Sequence, residues 1–298
     1  MNNLQKNILL APFNLLYKIS PELELKLLFR IRQGYKLNLN APRTYNEKLQ
    51  WIKLYDRNPL MPKCCDKYTV RQYVADQGCK EILNRLLWQG FEPANIPFDE
   101  LPEKYVIKAT HGSTFNIIQD GTKEISRKEV IDKCRRWLKE KYLPCYGEWF
   151  YGIEKPRIIV EDFIESQDDK QLRDYKVFCF NGRARMIRVD TERFTNHKMD
   201  FFDTNWNRIQ GARVGYPVSG RAFPKPEVLG ELLSYAEALS KPFYHARVDF
   251  YIVGKRIYFG ELTFTNGAGF GRFSTYAFDR MIGDWLCLGK QQQETTDL

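Results

Sequence analysis

The 298-residue chain has seven cysteines but no C-x-x-C pair among Cys64, Cys65, Cys79, Cys134, Cys145, Cys179 and Cys287. An odd number of thiols in that spacing argues against a disulfide framework. With no cleavable signal peptide visible, the chain reads as a reduced, cytoplasmic protein. Its three histidines, His111, His197 and His245, are far apart and lack zinc-type spacing. The phosphate-loop pattern G-x-x-x-x-G-K-[ST] is absent, and so are internal repeats and any apolar run long enough to span a bilayer. Aromatic residues make up 14% of the chain, but they fall at core-like spacing and not in basic-aromatic runs, which argues against single-strand nucleic-acid binding.

Charge is what the chain has in surplus. Lys and Arg number 46 against 37 Asp and Glu, a net charge of +9 that favours anionic partners without choosing among them. The length suits one large domain or two closely packed lobes. Residues 1–20 carry Leu4, Ile8, Leu9, Leu10, Phe13, Leu15, Leu16 and Ile19 around Pro12, too polar and broken to cross a membrane. The favoured reading is a helix packed on the main domain. The alternative is a basic amphipathic element on a membrane surface, given Lys18, Lys26, Arg30, Arg32 and Lys36 nearby.

Helix signals follow. Pro21-Glu22 opens a helix with Arg30 and Arg32 near its end, ahead of Gly34, and Thr44-Tyr-Asn-Glu47 matches a capping box. Further helices are expected at Asp66–Val74, where Lys67 and Arg71 share a face as a solvated basic stripe, and at 80–88, 124–142, 227–239 and about 276–288. The tail beyond Lys290 is expected to be disordered. Asn266-Gly-Ala-Gly-Phe-Gly271 is a glycine loop without the βαβ unit of a dinucleotide fingerprint.

Strand signals carry the chemistry. Two short apolar strands flank Thr110-His-Gly-Ser-Thr114, and Lys108 lies on the first of them. Such a small-residue turn offers N–H groups and hydroxyls to phosphate oxygens, although it also fits any hairpin. Arg157 to Ile164 is a strand ending in acids. Asn181-Gly182 is a strong hairpin signal; a plain two-residue loop sets Phe180 opposite Arg183, Phe178 opposite Arg185 and Lys176 opposite Ile187. Lys176 then needs an anion, or must snorkel to an edge.

A second hairpin runs from Ala246 to Phe264 about Gly254-Lys255, and its apolar strands carry Arg247, Asp249 and Glu261. A carboxylate buried there requires protonation, a cation or a metal. A two-residue loop places Asp249 opposite Gly260, with Glu261 on the other face. A three-residue loop, Val253 to Lys255, pairs Arg247 with Glu261 and brings Asp249 to the same face. The second register is preferred. Two carboxylates beside an arginine suit Mg2+ holding a triphosphate; a purely structural ion-pair cluster is an equally good reading of this hairpin alone.

Their order is more specific than any one piece. Thr44-Tyr-Asn-Glu-Lys-Leu-Gln-Trp51, Leu54-Tyr-Asp-Arg-Asn-Pro59, Asp66-Lys-Tyr68, Lys108-Ala-Thr-His-Gly-Ser113, Asp174-Tyr-Lys-Val-Phe-Cys-Phe-Asn-Gly182, Arg247-Val-Asp249 and Phe259-Gly-Glu-Leu-Thr-Phe-Thr265 succeed one another over about Thr44 to Gly289. In these the chain resembles the ATP-grasp superfamily, and more closely its TupA-like branch, named for teichuronopeptide biosynthesis.

The resemblance implies an α+β ATP-grasp fold, two α+β lobes with antiparallel sheets enclosing a nucleotide cleft. The expected division is a helical N-terminal region at 1–65, lobes at 66–160 and 161–290, and a tail at 291–298. ATP and Mg2+ are the implied cofactors. Lys108 and Lys176 would contact phosphates, and His111, Gly112, Ser113 and Thr114 would form the lid loop. Glu161, Asp162, Phe163 and Ile164 would form the adenine hinge, with Asp168 a ribose acceptor. Asp249 and Glu261 would hold the metal, and Arg247 would stabilise an oxyanion. Two departures stand out. Ser113-Thr-Phe-Asn116 replaces an expected Gly-Gly pair, implying a stiffer loop, and Thr263 replaces a metal-binding asparagine, leaving Asn266 or water as the further ligand.

The activity so implied is carboxylate–amine ligation through an acyl phosphate, joining an amino acid or other amine to a uronic acid of a cell-surface or capsular polysaccharide. An acidic saccharide and an amine are the expected partners, with a peripheral position near polysaccharide machinery at the inner face of the membrane. The competing readings are a sugar kinase on the same scaffold, a non-catalytic basic membrane-binding or nucleic-acid-binding module, and a nucleotide-binding relic or scaffold.

Overall fold

The computed structural model describes residues 3–122, 125–166, 172–192, 195–212 and 214–289, with no side-chain description before Leu9. Its helices and strands in chain order are α1 (Asn3–Ile19), α2 (Pro21–Gln33), α3 (Tyr45–Tyr55), α4 (Leu60–Cys65), α5 (Val70–Asp76), β1 (Leu86–Gly90), β2 (Tyr105–Ala109), β3 (Asn116–Gln119) and α6 (Arg127–Lys139). They continue with β4 (Ile158–Asp162), β5 (Asp174–Phe180), β6 (Arg183–Thr191), β7 (Lys198–Phe202), α7 (Leu229–Ser240), β8 (His245–Val253), β9 (Arg256–Thr263) and α8 (Tyr276–Asp284). The chain is α+β with two antiparallel sheets. Among the described residues no helix is long and apolar enough to cross a membrane.

It divides into two units. The larger comprises residues 1–58, 143–149 and 171–298, and the smaller 59–142 and 150–170. This differs from the expected partition. The N-terminal helices belong to the same unit as β5–β9, and β4, with Glu161 and Asp162, belongs to the smaller unit. The reason is visible in α3. Thr44 caps it and Glu47 completes the capping box, as its sequence signals. The helix then buries Tyr45, Leu49 and Ile52, and Tyr45 Oη lies 2.9 Å from Nε2 of His245 on β8. Burying an aromatic or aliphatic side chain of this size contributes about 1.5–3 kcal/mol.

In the larger unit the sheet order is β7-β6-β5-β8-β9. Period-two alternation puts Val177, Cys179, Ile187, Val248 and Leu262 on one face, all buried, and α7 packs against β5, β6 and β8. The opposite face of the same strands carries the charged residues. In the smaller unit the order is β1-β4-β2-β3, and Ile107, Ala109, Ile117, Ile158 and Val160 pack with Val130, Cys134 and Trp137 of α6.

Three expectations are corrected here. Residues 80–88 form a short 3-10 turn (Lys80–Ile82) followed by β1, because the apolar Leu-Leu-Trp run pairs with β4. The Asn181-Gly182 turn forms as read, with positive φ at both residues. However, β6 has one extra residue, Arg185, so Phe178 faces Met186 and Lys176 faces Arg188. The last hairpin adopts neither anticipated register. Its loop is the two residues Gly254-Lys255, and a bulge at Gly260 sets Asp249 opposite Glu261 and Arg247 opposite Thr263. The bulge returns Glu261 to the face of Asp249, which the plain two-residue register would not do.

Candidate active site

The charged row of the larger unit starts from Lys176 in the middle strand. Across the sheet it lies opposite Arg188 on β6 and Asp249 on β8. Its Nζ is 2.6 Å from Asp249 Oδ2, 3.6 Å from Asp174 and 4.0 Å from Asp190. All these residues are buried. Arg188-Val-Asp190 on β6 and Arg247-Val-Asp249 on β8 repeat one tripeptide. In each the arginine grips the aspartate two residues on, with Arg188 Nε 2.9 Å from Asp190 Oδ1 and Arg247 Nε 2.7 Å from Asp249 Oδ1.

Arg247 is the hub. Its guanidinium donates to both oxygens of Asp249, to Glu261 Oε1 at 3.1 Å, to Thr263 Oγ1 at 3.1 Å and to Asn266 Oδ1 at 2.7 Å. The four residues expected to hold a metal are thereby gathered about one cationic group. Two carboxylates, a hydroxyl and an amide carbonyl form a hard, all-oxygen donor set of the kind Mg2+ takes. Of the two carboxylates, Asp249 is buried and the Glu261 side chain is 42% exposed. The donor types match the ion, with Glu261 the solvent-facing member, but five of these oxygens accept from Arg247, and among the described residues no group of three or more His, Cys, Asp or Glu is placed to hold a metal.

Electrostatics keep Asp249 and Arg247 ionised. Burial would raise the Asp249 pKa, but Arg247 and Lys176 beside it hold the carboxyl well below the usual carboxylate range. Burial works against the Arg247 charge, and the attraction of Asp249 and Glu261 overrides it, raising its pKa. For Arg188 burial prevails and its pKa is lowered despite Asp190. Below the row, burial lowers His245 to about 4, so its imidazole is neutral at pH 7 between Tyr45 and the Phe264 carbonyl. Lys176, Arg188 and Arg247 against Asp174, Asp190, Asp249 and Glu261 leave one surplus negative charge.

The loop after β9 is fixed from α3. Lys53 Nζ, fully buried, donates to the carbonyls of Tyr146 at 2.6 Å and Ala268 at 2.8 Å, and Gln50 donates to Gly269 at 2.7 Å. Gly267 and Ala268 both have positive φ, so the chain doubles back sharply after Asn266. Thr265 donates to Glu148. Burial raises Glu148 and lowers its neighbour Lys53.

The smaller unit carries a second cluster. Glu161, buried on β4, accepts from Lys108 Nζ at 2.7 Å and from Arg71 at 2.8 Å, while Arg71 also donates to the Asn84 carbonyl at 2.6 Å. Lys67 donates to the Gly112 carbonyl at 2.6 Å. The pair read as a solvated stripe instead reaches the loop and the acid. Gly112 has φ +103, and a Cβ there would lie 2.8 Å from the Phe115 ring. Ser113 and Thr114 are exposed, and Thr114 too has positive φ. His111 is buried, with Nε2 3.2 Å from the Glu140 carbonyl, so the imidazole anchors the loop to the end of α6. The Asp162 backbone is engaged at both ends, N–H to Arg85 and carbonyl to the Asn84 amide. Phe163 and Ile164 follow, half-buried, and Asp168 lies outside the described residues.

Sequence reasoning missed Arg188, Asp174 and Asp190, although the repeated Arg-Val-Asp signals two of them. It also missed Arg71, and Lys53 and Gln50 as supports of the Asn266 loop.

The family model described as TupA-like ATPgrasp matches residues 47–287, most of the chain. The chain belongs to the TupA-like ATP-grasp family. No curated protein matches it. Among solved structures it is similar in fold to D-alanine–D-alanine ligase from Bacillus anthracis, at 16% identity and TM-score 0.41 over 68% of this chain and 57% of that one. A second is phosphoribosylamine–glycine ligase from Thermotoga maritima, at 13% identity and TM-score 0.45 over 72% and 52%. A third is N5-carboxyaminoimidazole ribonucleotide synthetase from Thermus thermophilus, at 10% identity and TM-score 0.40 over 73% and 51%. The chain thus spans little more than half the length of these proteins. As a TupA-like ATP-grasp chain it has the α+β fold with two antiparallel sheets expected of the family.

Proposed function

We propose that this protein is an ATP-dependent carboxylate–amine ligase whose acceptor is an acidic saccharide and whose second substrate is an amino acid or other amine. The observation that carries the reading is the row Lys176, Asp249 and Glu261 on one sheet face, the first two buried and Glu261 facing solvent, with Arg247 bonded to both carboxylates. In this reading Asp249, Glu261, Thr263 and Asn266 hold Mg2+, which when bound neutralises phosphate charge and orients the terminal phosphate. Lys176 supplies a point charge to the phosphates, and Arg247 donates to the oxyanion of the acyl-transfer step.

The chemistry asks little else of the chain. A substrate carboxylate oxygen attacks the γ-phosphorus, the bond to ADP breaks, and an acyl phosphate forms. The amine then attacks the acyl carbon, inorganic phosphate leaves, and the ammonium proton passes to solvent. No nucleophilic serine or cysteine is required, in keeping with the absence of a Cys–His or Ser–His constellation in the row described. The positive surplus of the chain supports an anionic acceptor.

The test is phosphate release measured against a panel of uronates and amino acids, omitting each reactant in turn. The ligase reading expects turnover that requires both carboxylate and amine, with an amide in the product mass. Turnover that proceeds on a saccharide without any amine, yielding a phosphorylated sugar, would replace the ligase by a kinase.

A further inference from the structure

The outer faces of α1 and α2 carry large aliphatic side chains that no described residue covers. On α2, Leu23, Leu27 and Ile31 repeat every four residues and are 55%, 43% and 56% exposed. On α1, Leu15 and Ile19 repeat the spacing at 63% and 75%. Singly exposed leucines are ordinary, but a stripe at helical spacing is not. The opposite side of α2 is already used, since Leu25 and Phe29 pack with Leu37 and Leu39 in a buried core.

Charge says what covers the stripe. Residues 1–43 contain seven Lys and Arg against two Glu. Of the two acids Glu24 is buried and Glu22 is paired with Lys26. Lys18, Lys26, Arg30, Arg32 and Lys36 are all exposed alongside the aliphatic residues. Beside them lies a groove of about 560 Å3 walled by Leu10, Phe13 and Leu28, with Arg32 and Arg272 also lining it. Apolar walls with guanidinium groups match an acyl chain joined to an anionic headgroup. A second copy of the chain is a poor match, because this face would meet its own cations with almost no acid to receive them.

We propose that this face docks the protein on an anionic lipid bilayer, with Leu15, Ile19, Leu23, Leu27 and Ile31 entering the interface and the flanking cations contacting headgroups. The proposal does not rest on the ligase reading.

The test is co-sedimentation of the full chain with vesicles of phosphatidylcholine alone or with about 30% phosphatidylglycerol. Binding is expected to the anionic vesicles and to fall at least about tenfold on raising the salt to about 0.5 M. It should fall similarly in the triple variant Leu23→Ser, Leu27→Ser, Ile31→Ser and in the double variant Lys26→Gln, Arg30→Gln, each checked for an unchanged circular-dichroism spectrum. Asp249→Asn should bind vesicles like the parent, which separates this inference from the fate of the ligase reading. Parent protein that ignores anionic vesicles, or variants that bind as well as the parent, would overturn it. A concentration-dependent dimer abolished by the triple variant, without vesicle binding, would also overturn it and assign the face to a second copy.

Discussion

Arg247 and Asp249 are joined by two hydrogen bonds, Nε to Oδ1 at 2.7 Å and a terminal nitrogen to Oδ2 at 2.8 Å, two residues apart on one face of β8. The same guanidinium reaches Glu261, Thr263 and Asn266. Removing Arg247 leaves Lys176 and Arg188 against Asp174, Asp190, Asp249 and Glu261, two buried cations for four carboxylates. Arg247→Ala is therefore expected to lower stability by about 3–5 kcal/mol, read from chemical denaturation. Arg247→Lys should recover only part of this, because an ammonium cannot reproduce the two-point fork.

Asp249→Asn keeps the volume of the side chain and removes its charge. Turnover is expected to fall by at least about a thousandfold, measured as phosphate release, because one of the two carboxylates in the proposed metal-binding set is lost. A variant retaining most of its turnover would detach Asp249 from the chemistry.

Gly260 is the extra residue of the β9 bulge, and a Cβ there would stand 3.0 Å from the backbone oxygen of Asp249. Backbone cannot give way as a side chain can. Gly260→Ala is expected to cost about 1–3 kcal/mol in stability. Because Glu261 follows directly, the Mg2+ concentration needed for half-maximal turnover should rise more than the KM for the amine. An equal rise in both would show that the bulge only supports the fold.

Glu24 gives a pH dependence with a definite sign. It is buried without a hydrogen-bond partner for either carboxyl oxygen among the described residues. Burial pushes its pKa from 4.5 up to about 8, opposed in part by Lys53. The folded state thus favours the protonated form. This contribution is fully present below about pH 4.5 and is lost as pH rises to about 8. Glu24→Gln should accordingly be more stable than the parent by roughly 2–4 kcal/mol at pH 8 and nearly equal to it at pH 4.5, by denaturation at each pH.

Much of this was legible from residue types. The Thr44/Glu47 capping box and the Asn181-Gly182 turn follow from local rules, whereas Asp249 and Glu261 share a face through the Gly260 bulge and not through the three-residue loop expected. Both hairpins nevertheless departed from simple counting, at Arg185 and at Gly260, because a bulge adds one residue without disturbing the apolar pattern on either side. Arg71 was read as solvated because helical spacing says which face a side chain occupies, not whether another strand brings an acid to it. Arg188 stayed unnoticed until the displaced register set it beside Lys176. Leu86-Leu-Trp88 was misread because a short apolar run looks alike in a buried helix and in a strand.

The central claim is that the face bearing Lys176, Asp249 and Glu261 binds magnesium nucleotide. Calorimetric titration of ATP with and without Mg2+, on the parent and on Lys176→Gln and Asp249→Asn, tests it most directly. The account predicts Mg2+-dependent binding by the parent, weakened at least about tenfold in each variant with the fold intact. Undiminished Mg2+-dependent binding by both variants would contradict it.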